Sequence, residues 1–377
     1  EMRRNNPYIS GMLYYNEQAI RKVSWTFVNK DDRKGTDLRV DFLNECRDYM
    51  TQSWNDAVSE WLSFVWAGYS LSFVNRKRLD SGRLGWDSFS PRKQSTVYRW
   101  ILNYPSEKIF DANRRAGEIM GFIQQSPPTY EMVEIEMSEV IHFRTRVESN
   151  NPEGVSMLRG AWVPYYYAKN YQNTEAIGFE RDLNGMPHIM MPQGASTDTS
   201  DTSSDASKAA EMVRNIRVDE QAGIVTPFGW GFELLSGSGK AFDAIGNAIK
   251  RLNDAMLTAT LSNFITMGTG EVGSYGLSKD KTSIAEMIVN STADIIAETF
   301  TKQEIPRILK LNGWDADDIC LEHTPAGDTD LTAMADFLQK IGDKITTTPQ
   351  DELWLRQLAG MPELTVEEIE AAKKEKR

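Results

Sequence analysis

Cysteine and histidine are scarce in this chain: two and three residues respectively among 377. Cys46 and Cys320 lie far apart and form no CxxC pair, so neither a zinc site nor a disulfide framework has sequence support, and a reducing compartment fits. His142, His188 and His323 are also far apart, and each falls in a strand-like stretch; catalytic and metal-binding histidines have partners at set intervals, so structural histidines are expected. An excess of basic charge is missing too. The 42 Lys and Arg residues face 54 Asp and Glu, a net charge of −12, which excludes a protein that coats nucleic acid through a basic surface. No apolar run reaches the roughly 18 residues of a membrane span. The nearest, residues 61–74, is broken by Ser63, Gly68, Ser70 and Ser72. The opening residues have neither an apolar signal core nor an initiator Met, which fits a trimmed form of a longer product. No nucleophile elbow, HExxH motif or carboxylate cluster with a partner base is present, so nothing indicates an enzyme or a cofactor.

What is there is ample apolar material and clear periodicity. At this length two to four structural units are expected, each able to bury a core. Residues 6–22 read as a short helix and 23–30 as a half-buried strand, with a turn at 31–35. Leu38, Phe42, Leu43, Cys46 and Met50 recur at helical spacing, and Val58, Trp61, Leu62 and Val65 repeat it over residues 54–66. Gly68 breaks that pattern, and residues 69–79 alternate as a strand. The first 150 residues therefore read as α+β, with helices against mainly antiparallel strands. Residues 117–127 and 137–150 add two more strand-like stretches.

Residues 151–187 carry the densest aromatic content, with Trp162, Tyr165, Tyr166, Tyr167, Tyr171 and Phe179 spread around a long helix that ends at a Gly-Pro turn. A helix apolar on several sides belongs in a packed array rather than at an isolated surface. A short strand (HIMMP) follows, then a Ser/Thr/Asp tract at 193–207, an exposed loop by composition. A helix over 205–217 and two strands, 223–227 and 231–236, complete a small inserted module. A second long helix is expected over 241–266, with Phe242, Ile245, Ile249, Leu252, Met256, Leu257, Leu261 and Phe264 in register. A third, over 283–312, is interrupted or kinked at Pro306 and stopped by Asn312-Gly313. The strand DICLEH and further helical segments end the chain.

In order and spacing, the two strands, the NPEGVSMLRGAW segment, the long helix and FERDLNGMP resemble the portal, or head-to-tail connector, proteins of tailed bacteriophages, in particular the Mu-like branch. The Trp-containing helix that runs into AGYS and an alternating strand adds to the likeness, which extends over about residues 16–323. The resemblance implies an α+β portal-type fold with an α/β wing, long antiparallel stem helices, a small α/β clip insertion and a helical crown. It implies these divisions: wing 1–155, first stem helix 156–183, clip 184–238, second stem helix 239–267, tunnel loop 268–282, the rest of the wing 283–328, and crown 329–377. It further implies a ring of about twelve identical subunits around a channel for double-stranded DNA. The partners so implied are the terminase large subunit, the head-tail adaptor, and the major capsid protein with its scaffold. The location would be the capsid portal vertex of the virion after assembly in the host bacterial cytoplasm, with no membrane involved.

Glycines 268, 270 and 273 match GxGxxG, yet a dinucleotide site needs a strand before them, and here a helix precedes. A flexible helix-to-helix connection is the plain alternative. On the resemblance this stretch is the tunnel loop, with Gly270, Glu271, Val272, Gly273, Ser274, Tyr275 and Lys279 near passing DNA. Lys208, Arg214 and Arg217 fall in the clip, where terminase and adaptor would dock. These three, with Lys240, Lys250 and Arg251, could meet phosphate or pair along helices with Glu211, Asp243 and Asp254; the surface pairing is favoured. The acidic pair Glu134/Glu136 and the cluster Asp315, Asp317 and Asp318 are expected on solvated turns and strands, with a cation between subunits as the minority reading. The competing class is a non-viral α+β scaffold or enzyme that happens to contain two long helices and a Gly-rich loop.

Overall fold

The computed structural model describes residues 1–31, 37–184, 186–215, 225–235, 240–262 and 275–326, with backbone alone at 181–184, 215, 240–242 and 275–283. The chain divides into two compact units, Glu1–Thr324 and Pro325–Arg377; the second, which holds the expected crown, lies outside the described residues apart from its first two.

The N-terminal region opens with α1 (Met2–Asn5) and α2 (Pro7–Arg21). Pro7 sits at the first helical position and the Asn6 side chain caps the Ile9 N–H, so this start is fixed by sequence. Strand β1 (Trp25–Asn29) follows, then α3 (Leu38–Asp48), capped by Asp37. The expected single helix over 54–66 is two, α4 (Trp54–Trp61) and α5 (Ser63–Ala67), parted at Leu62. Strands β2 (Tyr69–Arg78), β3 (Leu84–Arg92), β4 (Val97–Leu102), β5 (Ile119–Gln125), β6 (Met132–Glu136) and β7 (Val140–Arg144) complete this part. They form two three-stranded antiparallel sheets, ordered β3-β2-β7 and β4-β5-β6.

Helix α6 (Trp162–Asn184) begins later than the sequence pattern suggests, because residues 157–159 form a 3-10 turn instead. Pro164 falls in its first turn, where a missing N–H costs nothing. Strand β8 (Met186–Met190), helix α7 (Asp205–Asn215) and strand β9 (Gly231–Leu235) make the inserted module, β8 and β9 pairing antiparallel. The expected strand at 223–227 is not seen in its described part, 225–227, where Val225 stands fully in solvent with no strand to pair.

Helix α8 (Lys240–Ala259) then runs beside α6, and α9 (Tyr275–Leu311) leads to β10 (Ile319–His323). Helix α9 is continuous through Pro306 rather than interrupted, because Ile305, Ile308 and Leu309 around it are fully buried. Strand β10 returns to pair with β1, so the last described strand closes on the first. An aromatic core joins β1, α4, β3, β7 and α9. Phe27, Trp61, Trp86, Phe89, Phe143 and Phe300 are fully buried, and Trp61 stacks on Phe143 at 5.1 Å between ring centroids.

Candidate ring and channel elements

The two long helices of the middle region are antiparallel. Gly160, just before α6, lies against Ala259 at the end of α8, while Gly246 near the start of α8 lies against Glu175 in the second half of α6. Leu158, Ala161, Tyr165 and Ala168 bury one side of this pair with Met256, and Ile9 and Met12 of α2 close its base. At 1.5 Å per residue α6 is about 35 Å long.

The other side of α6 has no cover among the described residues. Trp162, Val163, Tyr166, Tyr167, Tyr171 and Ile177 are each at least 40% exposed. Single exposed apolar residues are ordinary, but a contiguous row of aromatics along one helix marks an interaction surface. The aromatic spread read from the sequence is therefore real, with one face spent inside the chain and the rest left open.

Helix α9 is anchored at its C-terminal half by a buried charge cluster whose members, far apart in the chain, carry no local signal. Glu304 is fully buried, yet accepts from Arg76 Nη2 at 2.9 and 3.1 Å and from Trp86 Nε1 at 3.0 Å. Arg307, one turn on, donates to the Val140 and Met137 carbonyls at 2.6 and 2.8 Å. Burial raises the Glu304 carboxyl above its usual range, against the opposing pull of Arg76, Trp86 and Arg307. Gln303 adds a reciprocal pair with the His142 backbone, accepting from its N–H at 2.8 Å and donating to its carbonyl at 3.2 Å. One helix face is thus bonded to β2, β3 and β7 together.

The segment that joins β7 to α6 folds back on the α5–β2 corner. Gly154, at φ +61°, sits so close that a Cβ would lie 2.4 Å from the Thr145 carbonyl oxygen and 2.5 Å from that of Gly68, itself at φ +101°. The AGYS and NPEGVS stretches, distant in sequence, are two halves of one backbone contact.

The charged residues singled out above divide as follows. Lys208 and Arg214 are on exposed faces of α7, and Arg217 lies outside the described residues. No ion pair joins Lys208, Arg214, Lys250 or Arg251 to a carboxylate among the described residues, so the expected surface pairing does not form; helix register puts them near acids without holding long side chains in contact. Asp318 lies in a turn as expected, but its carboxylate is paired rather than solvated: it binds Arg39 at 2.6 Å and accepts from Asn29 at 3.0 Å, and Arg39 holds its carboxyl below the ordinary range. No trio of His, Cys, Asp or Glu among the described residues is placed to hold a metal ion. The buried Cys46 thiol is pushed up to about 12 by desolvation, which leaves it inert at neutral pH.

Gly270, Glu271, Val272, Gly273 and Ser274 lie outside the described residues. Tyr275 and Lys279 do not lie in a loop: helix α9 begins at Tyr275, eight residues before the expected start. A single Gly276 costs a helix about 1 kcal/mol, and cooperative extension of a long helix absorbs it.

Compared with known families, residues 1–361 match the model described as the portal protein of Mu bacteriophage. The chain belongs to this portal family. As a portal protein it is a structural channel component rather than an enzyme. Solved structures agree in fold. A chain from the neck of an empty gene transfer agent particle, computed with C6 symmetry, has a TM-score of 0.56 at 12% identity, over 96% of this portal and 93% of that chain. Over the same shares, a chain from the virion of a native gene transfer agent particle scores 0.55 at 10% identity, and one from the native neck computed with C12 symmetry 0.54 at 11%. No curated protein matches the chain. No helix among the portal's described residues is long and apolar enough to cross a membrane.

Proposed function

We propose that about twelve copies of this portal protein close into a ring by heterologous contacts, with double-stranded DNA passing through the centre during packaging and ejection. The observation that carries this is the open aromatic face of α6: a helix covered on one side by α8 and α2 and, among the described residues, bare on the other needs a neighbour, and in a cyclic ring each copy supplies one. The necks with C6 and C12 symmetry support the same reading, since their chains share this fold. Residues 1–155 and 283–328 then act as the wing, α6 and α8 as the stem, and 184–238 as the clip. Lys208, Arg214 and Arg217 face the terminase and later the head-tail adaptor. The stretch from Gly270 to Lys279 borders the channel, with Ser274 and Tyr275 toward the DNA. The ring sits at the capsid vertex, in contact with the major capsid protein and its scaffold, and is assembled in the host cytoplasm. A net charge of −12 suits a wall along which DNA must slide rather than stick.

The test replaces Tyr166 and Tyr167, about half exposed, by glutamate. Wild-type protein should form rings in negative-stain images and sediment as an assembly of many subunits. The double variant should stay folded by circular dichroism but sediment as a monomer. A wild type that is monomeric at assembly concentrations, or a variant that still forms rings, would overturn the proposal.

A further inference from the structure

The inserted module between α6 and α8 has shape but no core of its own. Among the described residues of 186–235 no apolar side chain is buried, and Ser204 is the one buried residue. Strands β8 and β9 form a sheet of two, with no third strand beside them among the described residues. The register sets Met186 opposite Leu235 and His188 opposite Glu233, so Met186, His188, Met190, Glu233 and Leu235 share one face. All five are exposed. On the opposite face Pro187, Ile189 and Phe232 are only half-buried, although α7 lies against β8, and Leu234 is exposed.

Local hydrogen bonds give the module its shape. Asp198 and Asp201 accept from the N–H and hydroxyl groups of Ser200 and Ser203, and Ser207 donates to the Asp201 carbonyl at 2.7 Å. The Trp230 N–H closes a turn on the Pro227 carbonyl at 3.1 Å, with Gly229 at φ +85°, and Phe228 stands fully exposed at its tip. Such bonds set loop geometry and bury no apolar surface. A two-stranded sheet by itself is marginal in water and needs a further strand or layer. Two observations bear on what supplies it. Helix α6 ends at Asn184 and β8 begins at Met186, so the open apolar row of α6 is followed at once in the chain by the open strand. The module also occurs once in every subunit, and in a cyclic ring the body that meets every subunit in the same way is the next subunit.

We infer that the exposed face of the β8–β9 pair is covered by the neighbouring copy of this chain, so that the module gains its core only when the ring closes; this rests on the ring reading above. The neighbour that covers α6 then covers the sheet as well, with Met186, Met190 and Leu235 in the contact. Lys208 and Arg214, exposed on α7, are thereby carried on a layer that is firm in the ring and loose in the lone subunit.

Hydrogen exchange read by mass spectrometry on the full chain, purified without any other protein, tests this. Wild-type rings are compared with the monomeric Tyr166→Glu, Tyr167→Glu variant. The amides of 186–190 and 231–235 should exchange roughly ten-fold more slowly or better in the ring, while those of 69–78, buried within one subunit, exchange alike in both. Met186→Asp with Leu235→Asp, at two positions exposed in the lone subunit, should leave the subunit folded by circular dichroism. It should either remove the protection from rings that still form or prevent their closure, and both results place this face between copies. The inference is overturned if wild-type rings exchange these strands as fast as the monomer does, which would mean that another protein covers the face. It is equally overturned if the monomer already protects them as the ring does, or if rings of the double aspartate variant keep full protection. A wild type that forms no ring sinks the ring reading itself, whereas rings with an unprotected module sink this inference alone.

Discussion

His142 gives this protein a pH-dependent stability that can be worked out from its surroundings. The ring is 4% exposed on β7, stacked on Trp100 at 5.3 Å between centroids and edge-on to Tyr69, and its Nε2 lies 2.8 Å from the Pro152 carbonyl. A carbonyl only accepts, so Nε2 carries the proton and donates. Desolvation, with help from the nearby Arg144 charge, pulls the ring down to about 3 from an ordinary value of 6.5. The folded state therefore refuses a proton that the unfolded chain takes up. Stability from this group is complete above the unfolded value and is lost as pH falls from there toward the folded one. One proton bound only by the unfolded state costs about 1.4 kcal/mol per pH unit, so acidification from pH 7 to pH 5 should remove about 2 kcal/mol. His142→Gln keeps an N–H donor for Pro152 but cannot titrate. The assay is urea unfolding of the wild type and H142Q at both pH values, followed by tryptophan fluorescence. The shift of Glu304 acts in the opposite sense, its raised carboxyl gaining stability as pH falls, and the comparison of two proteins at one pH removes that contribution. Parallel pH slopes for the wild type and H142Q would refute the reasoning.

Other perturbations have equally definite outcomes. Gly154→Ala should destabilise by about 3 kcal/mol or more, since its Cβ would press on two carbonyl oxygens at a left-handed backbone position, and a melting temperature within a degree of wild type would contradict that. Glu304→Ala strands two partly buried guanidiniums and should cost about 3–5 kcal/mol by chemical denaturation, whereas Glu304→Gln, which still accepts from Trp86, should cost clearly less; equal losses would show that the charge is irrelevant. Asn103, 1% exposed, donates to the carbonyls of Asp111, Arg114 and Arg115 and accepts from the Asp111 N–H, so Asn103→Ala should open the 103–117 segment to trypsin at Arg114 and Arg115. Undiminished protease resistance would show that the segment is held by other contacts, such as Ile109 against Ile101, Met120 and Ile123.

Periodic signals were legible in the sequence and isolated contacts were not. The strand at 69–78 and the helix at 7–21 stand where alternation, proline and capping place them, because each is specified by residues within its own span. Helix α9 starts eight residues before residue 283, where the pattern places it, because the glycine-rich stretch just upstream hides the helix already under way. The long aromatic helix was legible as many-sided, but residues 157–159 looked helical and turn instead, held by Ser156, which donates to the Trp66 carbonyl at 2.6 Å. Arg76 and Glu304, 228 positions apart, carry no local signal at all. Glycines 68 and 154 were visible only as members of two short motifs, with nothing to show that the motifs touch.

That distribution of contacts bears on how a channel element can be held. Helix α9 spans 37 residues, about 55 Å, and its described bonds to the sheets gather in its second half: Asp294 to His323, Thr301 to the Leu321 N–H, Gln303 to His142, Glu304 to Arg76 and Trp86, and Arg307 to Val140 and Met137. Ala285, Val289, Ala293 and Ile296 pack the helix along its length, so displacement of its N-terminal end reaches its clamp, the buried charge cluster, as rotation. The cluster resists that rotation, because turning Glu304 away from Arg76 would leave a fully buried carboxylate unpaired. On the proposed function the N-terminal end of α9 begins at the channel-bordering stretch, so the wing would hold that stretch through α9 as a stiff support. Weakening the clamp with Glu304→Gln should then lower packaging efficiency in an in vitro assay even where rings still form, and unchanged packaging by such rings would show that the clamp serves stability alone.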